Sequence, residues 1–83
     1  MYNKRTWLNP ETSYASSNVV AFDGDVMHRS GKSRVTYLAV SDCNVSISLS
    51  KNDGDTDDDF IDKMRLLKNE IEEFIKYLDK KNY

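Results

Sequence analysis

Residues with catalytic or metal-binding chemistry are scarce in this sequence. It has one cysteine, Cys43, and one histidine, His28, so it forms no intramolecular disulfide and offers no zinc-ligand set. The absence of disulfides suits a reducing compartment, and we expect a cytoplasmic protein. No apolar run is as long as a secretion signal or a membrane span, so we expect no membrane partner.

Glycine is also rare, which limits the phosphate-binding and nucleophile motifs that depend on it. Gly31-Lys32-Ser33 matches the end of a phosphate-binding loop, but Val26 stands where the first glycine belongs, and β-forming residues follow instead of a helix. No serine has the glycine-flanked setting of a nucleophile elbow. We therefore expect a protein that is not an enzyme and that needs no cofactor or metal.

The length of the chain limits the size of its core, and its charge limits the kind of ligand that it can bind. Its 83 residues, 39% of them apolar, suffice for one domain with a small core, so self-association is expected to add stability. The formal net charge is −2. Residues 1–51 have six Lys/Arg and four Asp/Glu, which gives a charge of +2. Residues 52–83 have six Lys/Arg and ten Asp/Glu, which gives a charge of −4. An anionic ligand is therefore expected to meet the first part.

The last third of the chain predicts one long amphipathic helix over residues 56–80. Its apolar residues recur at spacings of four and three, so they share one helical face, and five of the six are expected to be core: Phe60, Met64, Leu67, Ile71 and Phe74, with Leu78 completing the stripe. Three further apolar residues lie off this stripe and are predicted to form a dimer contact: Ile61, Ile75 and Tyr77.

An acidic tract precedes and begins this helix. It resembles a calcium-binding loop, but Asp58 and Met64 stand at the template positions that require glycine and glutamate. Thr56 is better interpreted as the N-cap, with Asp59 completing a capping box and acids in the first turn stabilised by the helix dipole. The helix surface is acidic and predicts a basic protein partner, through Asp57, Asp58, Asp59, Asp62, Glu70, Glu72 and Glu73.

The residues before the helix predict an antiparallel meander. Val45, Ile47 and Leu49 alternate with serines, which is typical of a strand with one buried face. Two further strands are expected over 18–22 and 34–40, and the segment around Trp7 adds a fourth, ending before Pro10. A turn or bulge is expected at 23–25, within or just after the 18–22 strand, with Val26 and Met27 as its alternative continuation. The predicted fold is a single α+β domain, a three- to four-stranded meander packed on the helix: an arm (1–16), the meander (17–50), an acidic linker (51–55) and the helix (56–80).

A basic loop between the second and third strands predicts an anion-binding site. It spans residues 28–33, with Gly31 at its tip, and its cations together with two aromatic residues form the candidate site: Arg29, Lys32, Arg34, Trp7 and Tyr37. Aromatic residues interleaved with bases in the first part of the chain also suggest a surface on which nucleobases stack: Tyr2, Trp7, Tyr14, Phe22 and Tyr37.

Two resemblances extend these interpretations. Strands that run through Val45-Ser46-Ile47-Ser48-Leu49-Ser50 into a long terminal helix resemble the layout of positive-cofactor or whirly single-stranded-DNA-binding domains, over residues 18–80. That resemblance implies a four-stranded sheet that binds single strands and a dimer formed through the helices. The segments Val19–Gly24 and Ser41–Cys43 are similar to small accessory proteins of bacteriophages, which implies a stoichiometric inhibitor or sequestering protein in the host cytoplasm.

The sequence thus predicts a non-catalytic binding protein, expected to be a homodimer. The first hypothesis is a phage-type anti-defence protein that inhibits a host protein complex or sequesters a small anionic ligand such as a nucleotide. The alternative is a dimeric single-stranded nucleic-acid-binding protein that uses the basic loop and the aromatic residues.

Overall fold

The structure, a computed structural model, describes residues 1–9 and 17–81 and divides the chain into two compact units, Met1–Lys51 and Asn52–Tyr83. The first unit is a four-stranded antiparallel sheet with its strands in chain order, and the second contains one helix. The predicted α+β class, with a meander followed by a C-terminal helix, is confirmed. Residues 10–16 of the predicted arm, which include Pro10 and Tyr14, lie outside the described residues.

The sheet is longer and more regular than the sequence pattern predicts. Its strands are β1 (Tyr2–Trp7), β2 (Asn18–His28), β3 (Gly31–Asp42) and β4 (Val45–Ser50), and the helix α1 spans Asp57–Lys81. The segment around Trp7 forms the fourth strand and pairs with β2. All three pairings are antiparallel and continuous in register.

The turn or bulge predicted at Asp23-Gly24-Asp25 is wrong, because β2 continues through these residues in unbroken register, and the alternative continuation of the strand to Val26 and Met27 is confirmed. Asp23 lies opposite Thr36 on β3 and accepts a hydrogen bond from its hydroxyl at 2.7 Å. A Cβ at Gly24 would lie 2.9 Å from Cγ of Met1, an exposed side chain that can move aside, and 3.3 Å from Cζ of Phe22. Cross-strand contacts therefore override the local turn preference of the tripeptide.

Both tight turns of the sheet depend on a residue with positive φ. Arg29 and Ser30 connect β2 to β3, and the following Gly31 has φ of 120°. The predicted six-residue loop is therefore a two-residue connection. Cys43 and Asn44 connect β3 to β4, and Cys43 has φ of 53°, in the left-handed region that two-residue hairpin turns use.

Three hydrogen bonds of Ser17 and its neighbours fix the register at one end of the sheet. The Leu8 N–H donates to the Ser17 carbonyl at 2.9 Å, and the Ser17 N–H donates to Oδ1 of Asn9 at 2.7 Å. The Ser17 hydroxyl donates to Oδ1 of Asp42 at 2.6 Å. The start of β2 is thus tied to the end of β1 and to β3.

The N-terminus of α1 is closed by the predicted capping box. The Asp59 N–H donates to Oγ1 of Thr56 at 3.1 Å, and the Thr56 N–H donates to Oδ2 of Asp59 at 2.9 Å. Two main-chain donors that the helix cannot satisfy are thereby paired. This explains why the helix begins at Asp57.

Replacing Thr56 with alanine is expected to lower the free energy of unfolding by about 1 kcal/mol, because the Asp59 N–H loses its acceptor. Urea denaturation followed by circular dichroism measures the loss. Thr6→Ala is the matched control, because Thr6 is an exposed threonine of β1 outside any cap. Equal losses in the two variants would contradict a capping role.

The predicted core of α1 is only partly covered. Phe60 is buried at 9% exposure, and Met64 and Leu67 are half-buried. Ile71 and Phe74, predicted to be core, are 50% and 59% exposed, so the prediction is wrong for these two residues. Helical spacing identifies the side chains that share a face, but it does not show what covers that face.

Candidate functional site

The pairing register assigns each side chain of the sheet to one of two faces. Directly paired residues of antiparallel strands project on the same side, and successive residues alternate. The first face, the aromatic face, carries Asn3, Arg5 and Trp7; Asn18, Val20 and Phe22; Tyr37, Ala39 and Ser41; and Ser46, Ser48 and Ser50. The second, the aliphatic face, carries Lys4 and Thr6; Val19, Ala21 and Asp23; Thr36, Leu38 and Val40; and Val45, Ile47 and Leu49.

A stacked aromatic pair lies at the centre of the aromatic face. Phe22 of β2 and Tyr37 of β3 are direct partners in the sheet, and their ring centroids are 5.4 Å apart with 17° between the planes. Both residues are half-buried. Each ring therefore covers one face of the other, and the pair is a partly solvent-accessible aromatic cluster.

A second aromatic group lies on β1 of the same face. Arg5 and Trp7 are two residues apart on the strand, and the Arg5 guanidinium lies 5.8 Å from the centroid of the Trp7 ring. Trp7 is 61% exposed. A cation over an exposed indole provides both a stacking surface and a positive charge for an aromatic anionic ligand.

The two faces differ in charge. The acids of the sheet in the described residues, Asp23, Asp25 and Asp42, all project from the aliphatic side. Over residues 1–9 and 17–51 the aromatic face therefore carries no carboxylate, and its polar groups are hydroxyls, amides, Arg5 and His28. Two of its hydroxyls bond to each other, with Ser41 Oγ donating to Ser46 Oγ at 3.1 Å.

The structure does not bring the five predicted anion-binding residues together. Trp7 and Tyr37 lie on the aromatic face, whereas Lys32 and Arg34 project from the aliphatic side and Arg29 lies in the turn. The Arg34 guanidinium is held by the Asp23 carboxylate, with Nε–Oδ1 at 2.8 Å and Nη2–Oδ2 at 3.1 Å. Its charge is therefore already balanced within the sheet.

This ion pair explains the acidity of Asp23. Hydrogen bonds from Arg34 and then from Thr36 lower the pKa of the Asp23 carboxyl from 3.8 to about 2. Asp23, Gly24, Asp25, Arg34 and Met1 line an open depression of about 230 Å³. Because the depression's arginine is paired, it offers an anion little net attraction.

Lowering the pH from about 4 to 2 is expected to reduce the free energy of unfolding more in the wild type than in Asp23→Asn. The folded-state pKa is lowered to about 2, so the unfolded chain binds the proton first and the stabilisation present above pH 4 is lost as the pH falls. Denaturant titrations at several pH values measure the slope. Asp25→Asn, two residues away on the same side, is the control, because it removes a carboxylate and leaves the bonds from Arg34 and Thr36 to Asp23 in place.

The predicted acidic surface of α1 is interrupted by internal pairs. Asp59 is held in the capping box. Arg65 Nη1 lies 3.9 Å from Asp62 Oδ1, and Lys68 Nζ lies 3.8 Å from Glu72 Oε1. These ion pairs are exposed and contribute little stability, but they reduce the negative potential around Asp62 and Glu72. The other members, Asp57, Asp58, Glu70 and Glu73, are exposed on the helix.

The three predicted dimer-contact residues lie on two flanks of the apolar stripe. At about 100° per residue, Ile61 and Ile75 fall on one flank and Tyr77 on the other. All three are exposed, as are Ile71 and Phe74 between them. The exposed surface of α1 is thus wider than the predicted contact.

The sole histidine and the sole cysteine lie at opposite ends of the sheet. His28 precedes the β2–β3 turn and its Nε2 lies 2.6 Å from Ser33 Oγ, whereas Cys43 is exposed in the β3–β4 turn. The His28–Ser33 contact has no carboxylate beside it on the aromatic face in the described residues, so it lacks the orienting group of a catalytic triad. No cluster of three potential metal ligands occurs among the described residues.

The sequence pattern placed Phe22 in the predicted stacking surface and Arg5 among the bases interleaved with it, but neither residue was part of the predicted anion-binding site. The alternation Asn3, Arg5, Trp7 within one strand could have placed Arg5 beside Trp7, whereas the pairing of Phe22 with Tyr37 depends on the strand register.

No helix within the described part of the chain has the length and apolar composition to cross a membrane. Comparison of the chain with protein-family models, with curated proteins and with solved structures found no match in any of the three.

Proposed function

We propose that this chain is a non-catalytic protein that binds single-stranded nucleic acid on its aromatic face. The observation that carries the proposal is the stacked pair Phe22–Tyr37 beside Arg5 and Trp7 on one face without carboxylates among the described residues. Four-stranded sheets that present aromatic side chains in this way bind two or three unpaired bases by stacking.

The spacing of the two aromatic groups suits more than one base. Asn18, the partner of Trp7, lies four residues from Phe22 on β2. This places Trp7 about 14 Å from Phe22, from the rise along the strand and the distance between strands. A strand of several nucleotides can therefore reach both groups, whereas a mononucleotide reaches only one.

The polar groups of the face suit base recognition more than strong phosphate binding. The hydroxyl of Ser48 and the amide of Asn3 can donate to and accept from base edges. Arg5 supplies the positive charge near the exposed indole. With few cations engaged, affinity is expected to depend weakly on salt, with a slope of about −0.7 in log K against log salt for each phosphate contact.

Fluorescence titration tests the proposal directly, because Trp7 is the only tryptophan. Single-stranded oligonucleotides are expected to quench its emission, with weaker binding by the matching duplex, whose bases are already stacked. Mononucleotides distinguish a nucleotide-sequestering protein from a strand-binding one, because a sequestering protein binds them as tightly as an oligonucleotide. Failure of all three ligands to bind at low salt would reject the proposal.

A matched pair of variants locates the phosphate contact. Arg5→Gln should lower the salt slope by about 0.7, because Arg5 is on the aromatic face. Lys4→Gln removes the same charge from the adjacent residue on the aliphatic face and should leave the slope unchanged. Equal changes would indicate nonspecific electrostatic attraction.

A protein-binding role is the second candidate, and the exposed apolar surface of α1 favours it. Ile71, Phe74, Ile75 and Leu78 are 39–59% exposed beside acidic residues, as in a helix that binds a groove with a basic rim. This role corresponds to the stoichiometric inhibitors among the phage accessory proteins that the sequence resembles. Crosslinking in bacterial lysate tests it: Phe74→Glu should remove any captured protein, and Trp7→Ala should not.

A further inference from the structure

β4 forms one edge of the sheet, and its outward main-chain groups belong to its serines. The Lys51 N–H donates to the Thr36 carbonyl at 2.9 Å, which marks a hydrogen-bonded pair between β4 and β3. In an antiparallel ladder such pairs occur at every second residue. The residues between them, including Ser46 and Ser48, therefore direct their N–H and C=O groups away from β3, toward the outer edge of the sheet.

The two edges of the sheet differ in their protection. β1, at the opposite edge, carries Lys4 and Arg5, and charged side chains discourage edge-to-edge pairing. β4 has the sequence Val-Ser-Ile-Ser-Leu-Ser, with no charge and no proline. Val45 and Ile47 are 70% and 63% exposed. β4 thus has the properties of a strand that pairs with another strand.

β4 is also complementary to itself. In an antiparallel arrangement about a two-fold axis at Ile47, this side chain meets Ile47 of a second copy, and Val45 meets Leu49 of the second copy. Ser46 and Ser48 then exchange about four main-chain hydrogen bonds with their counterparts. An isologous contact requires this kind of self-match, and the absence of charge means that the symmetric pairing brings no like charges together.

We propose that β4 is a self-association edge at which a second copy of this chain adds its own β4 antiparallel, centred on Ile47. The two four-stranded sheets then form one continuous sheet. Because Ile47 pairs with itself, corresponding faces of the two copies lie on the same side. Pairing of six-residue strands buries less than the ~1,200 Å² of a tight interface, so the association is a concentration-dependent equilibrium.

The sole cysteine provides a direct test of this geometry. Cys43 is exposed and lies four residues from Ile47, outside the paired strand. A spin label on Cys43 is expected to give an intermolecular distance of about 27 Å, from eight residues at about 3.4 Å each. A parallel pairing places the labels about 5 Å apart, and this result would overturn the proposal.

Two variants test the contact by different means. Ile47→Lys places two ammonium groups against each other at the two-fold axis and should raise the dimer dissociation constant at least tenfold in sedimentation experiments. Thr6→Lys is the matched control: Thr6 lies in the same row and on the same face but at the other edge, and association should be unchanged.

A proline variant covers the case in which Ile47→Lys fails to fold. Ser48→Pro removes an outward N–H that β3 does not use, so an edge strand tolerates it, and it should abolish the dimer while circular dichroism stays unchanged. A wild type that is monomeric at millimolar concentration would overturn the proposal. A dimer dissociated by Ile75→Glu but not by Ser48→Pro would place the interface on α1 and would also overturn it.

Discussion

Replacing Trp7 with alanine is expected to weaken the binding of a single-stranded oligonucleotide by about 5- to 150-fold, because stacking of one base on an aromatic ring contributes about 1–3 kcal/mol. The indole is exposed on the aromatic face, and Arg5 lies over its ring, so the substitution removes a stacking surface and a cation–π contact together. Fluorescence anisotropy of a labelled oligonucleotide measures the loss without using the tryptophan signal.

Tyr2→Ala is the matched control for this substitution. Tyr2 is an exposed aromatic residue of the same strand, but its side chain projects from the aliphatic side, opposite Asp23. Its replacement should change the affinity less than twofold. Equal losses in the two variants would show that binding does not distinguish the faces, and an unchanged affinity in Trp7→Ala would exclude the indole from the site.

Gly31→Ala is expected to lower the free energy of unfolding by about 1–3 kcal/mol. Gly31 has φ of 120°, a conformation that side chains with a Cβ rarely adopt, and it begins β3 directly after the two-residue turn. A Cβ at this position would meet no atom within 4 Å. The loss therefore measures backbone strain alone, without a steric clash.

The preceding turn residue provides the control for this experiment. Ser30 has negative φ, so Ser30→Ala should change the free energy of unfolding by less than about 0.5 kcal/mol. Urea denaturation measures the free energy of unfolding of both variants, and an unchanged m-value shows that the comparison is valid. Equal stabilities of Gly31→Ala and wild type would mean that the hairpin adopts another turn at little cost.

Local patterns predicted the elements of the fold where a short-range signal determines the structure. The alternation of Val45, Ile47 and Leu49 identified a strand, although the buried face that it predicted is wrong for Val45 and Ile47, which are exposed. Thr56 with Asp59 identified the start of the helix. Both signals lie within a few residues, so no distant contact changes their meaning.

Features that depend on distant partners could not be predicted in the same way. The turn residues around Gly24 are part of a strand because Thr36 and Arg34 on β3 bind Asp23, and sequence spacing alone does not reveal this partnership. The candidate site combined Tyr37 with Arg34, although an odd separation within one strand puts the two on opposite faces. The alternation of side chains along one strand could have separated these two residues from the sequence alone. The stacking of Phe22 on Tyr37 could not be predicted, because it depends on how β2 and β3 are aligned.

The helix illustrates a different limit. Its apolar stripe has the same spacing from Phe60 to Leu78, yet Phe60 is buried and Phe74 is exposed. The spacing of apolar residues shows in which direction each side chain points from the helix axis, but it does not show what surrounds that side chain. The sequence therefore predicted the stripe but not which part of it is available to a partner.

The hydrogen bond from the Ser17 N–H to the Asn9 side chain helps to hold the strand register that defines the aromatic face. A shift of β1 by one residue against β2 would exchange its two sets of side chains, so that Lys4 would replace Arg5 on the aromatic face and Trp7 would turn to the opposite side. Asn9 therefore contributes to the alignment of β1. A substitution at Asn9 that shifts this strand would invert the proposed binding surface with every one of its residues still present.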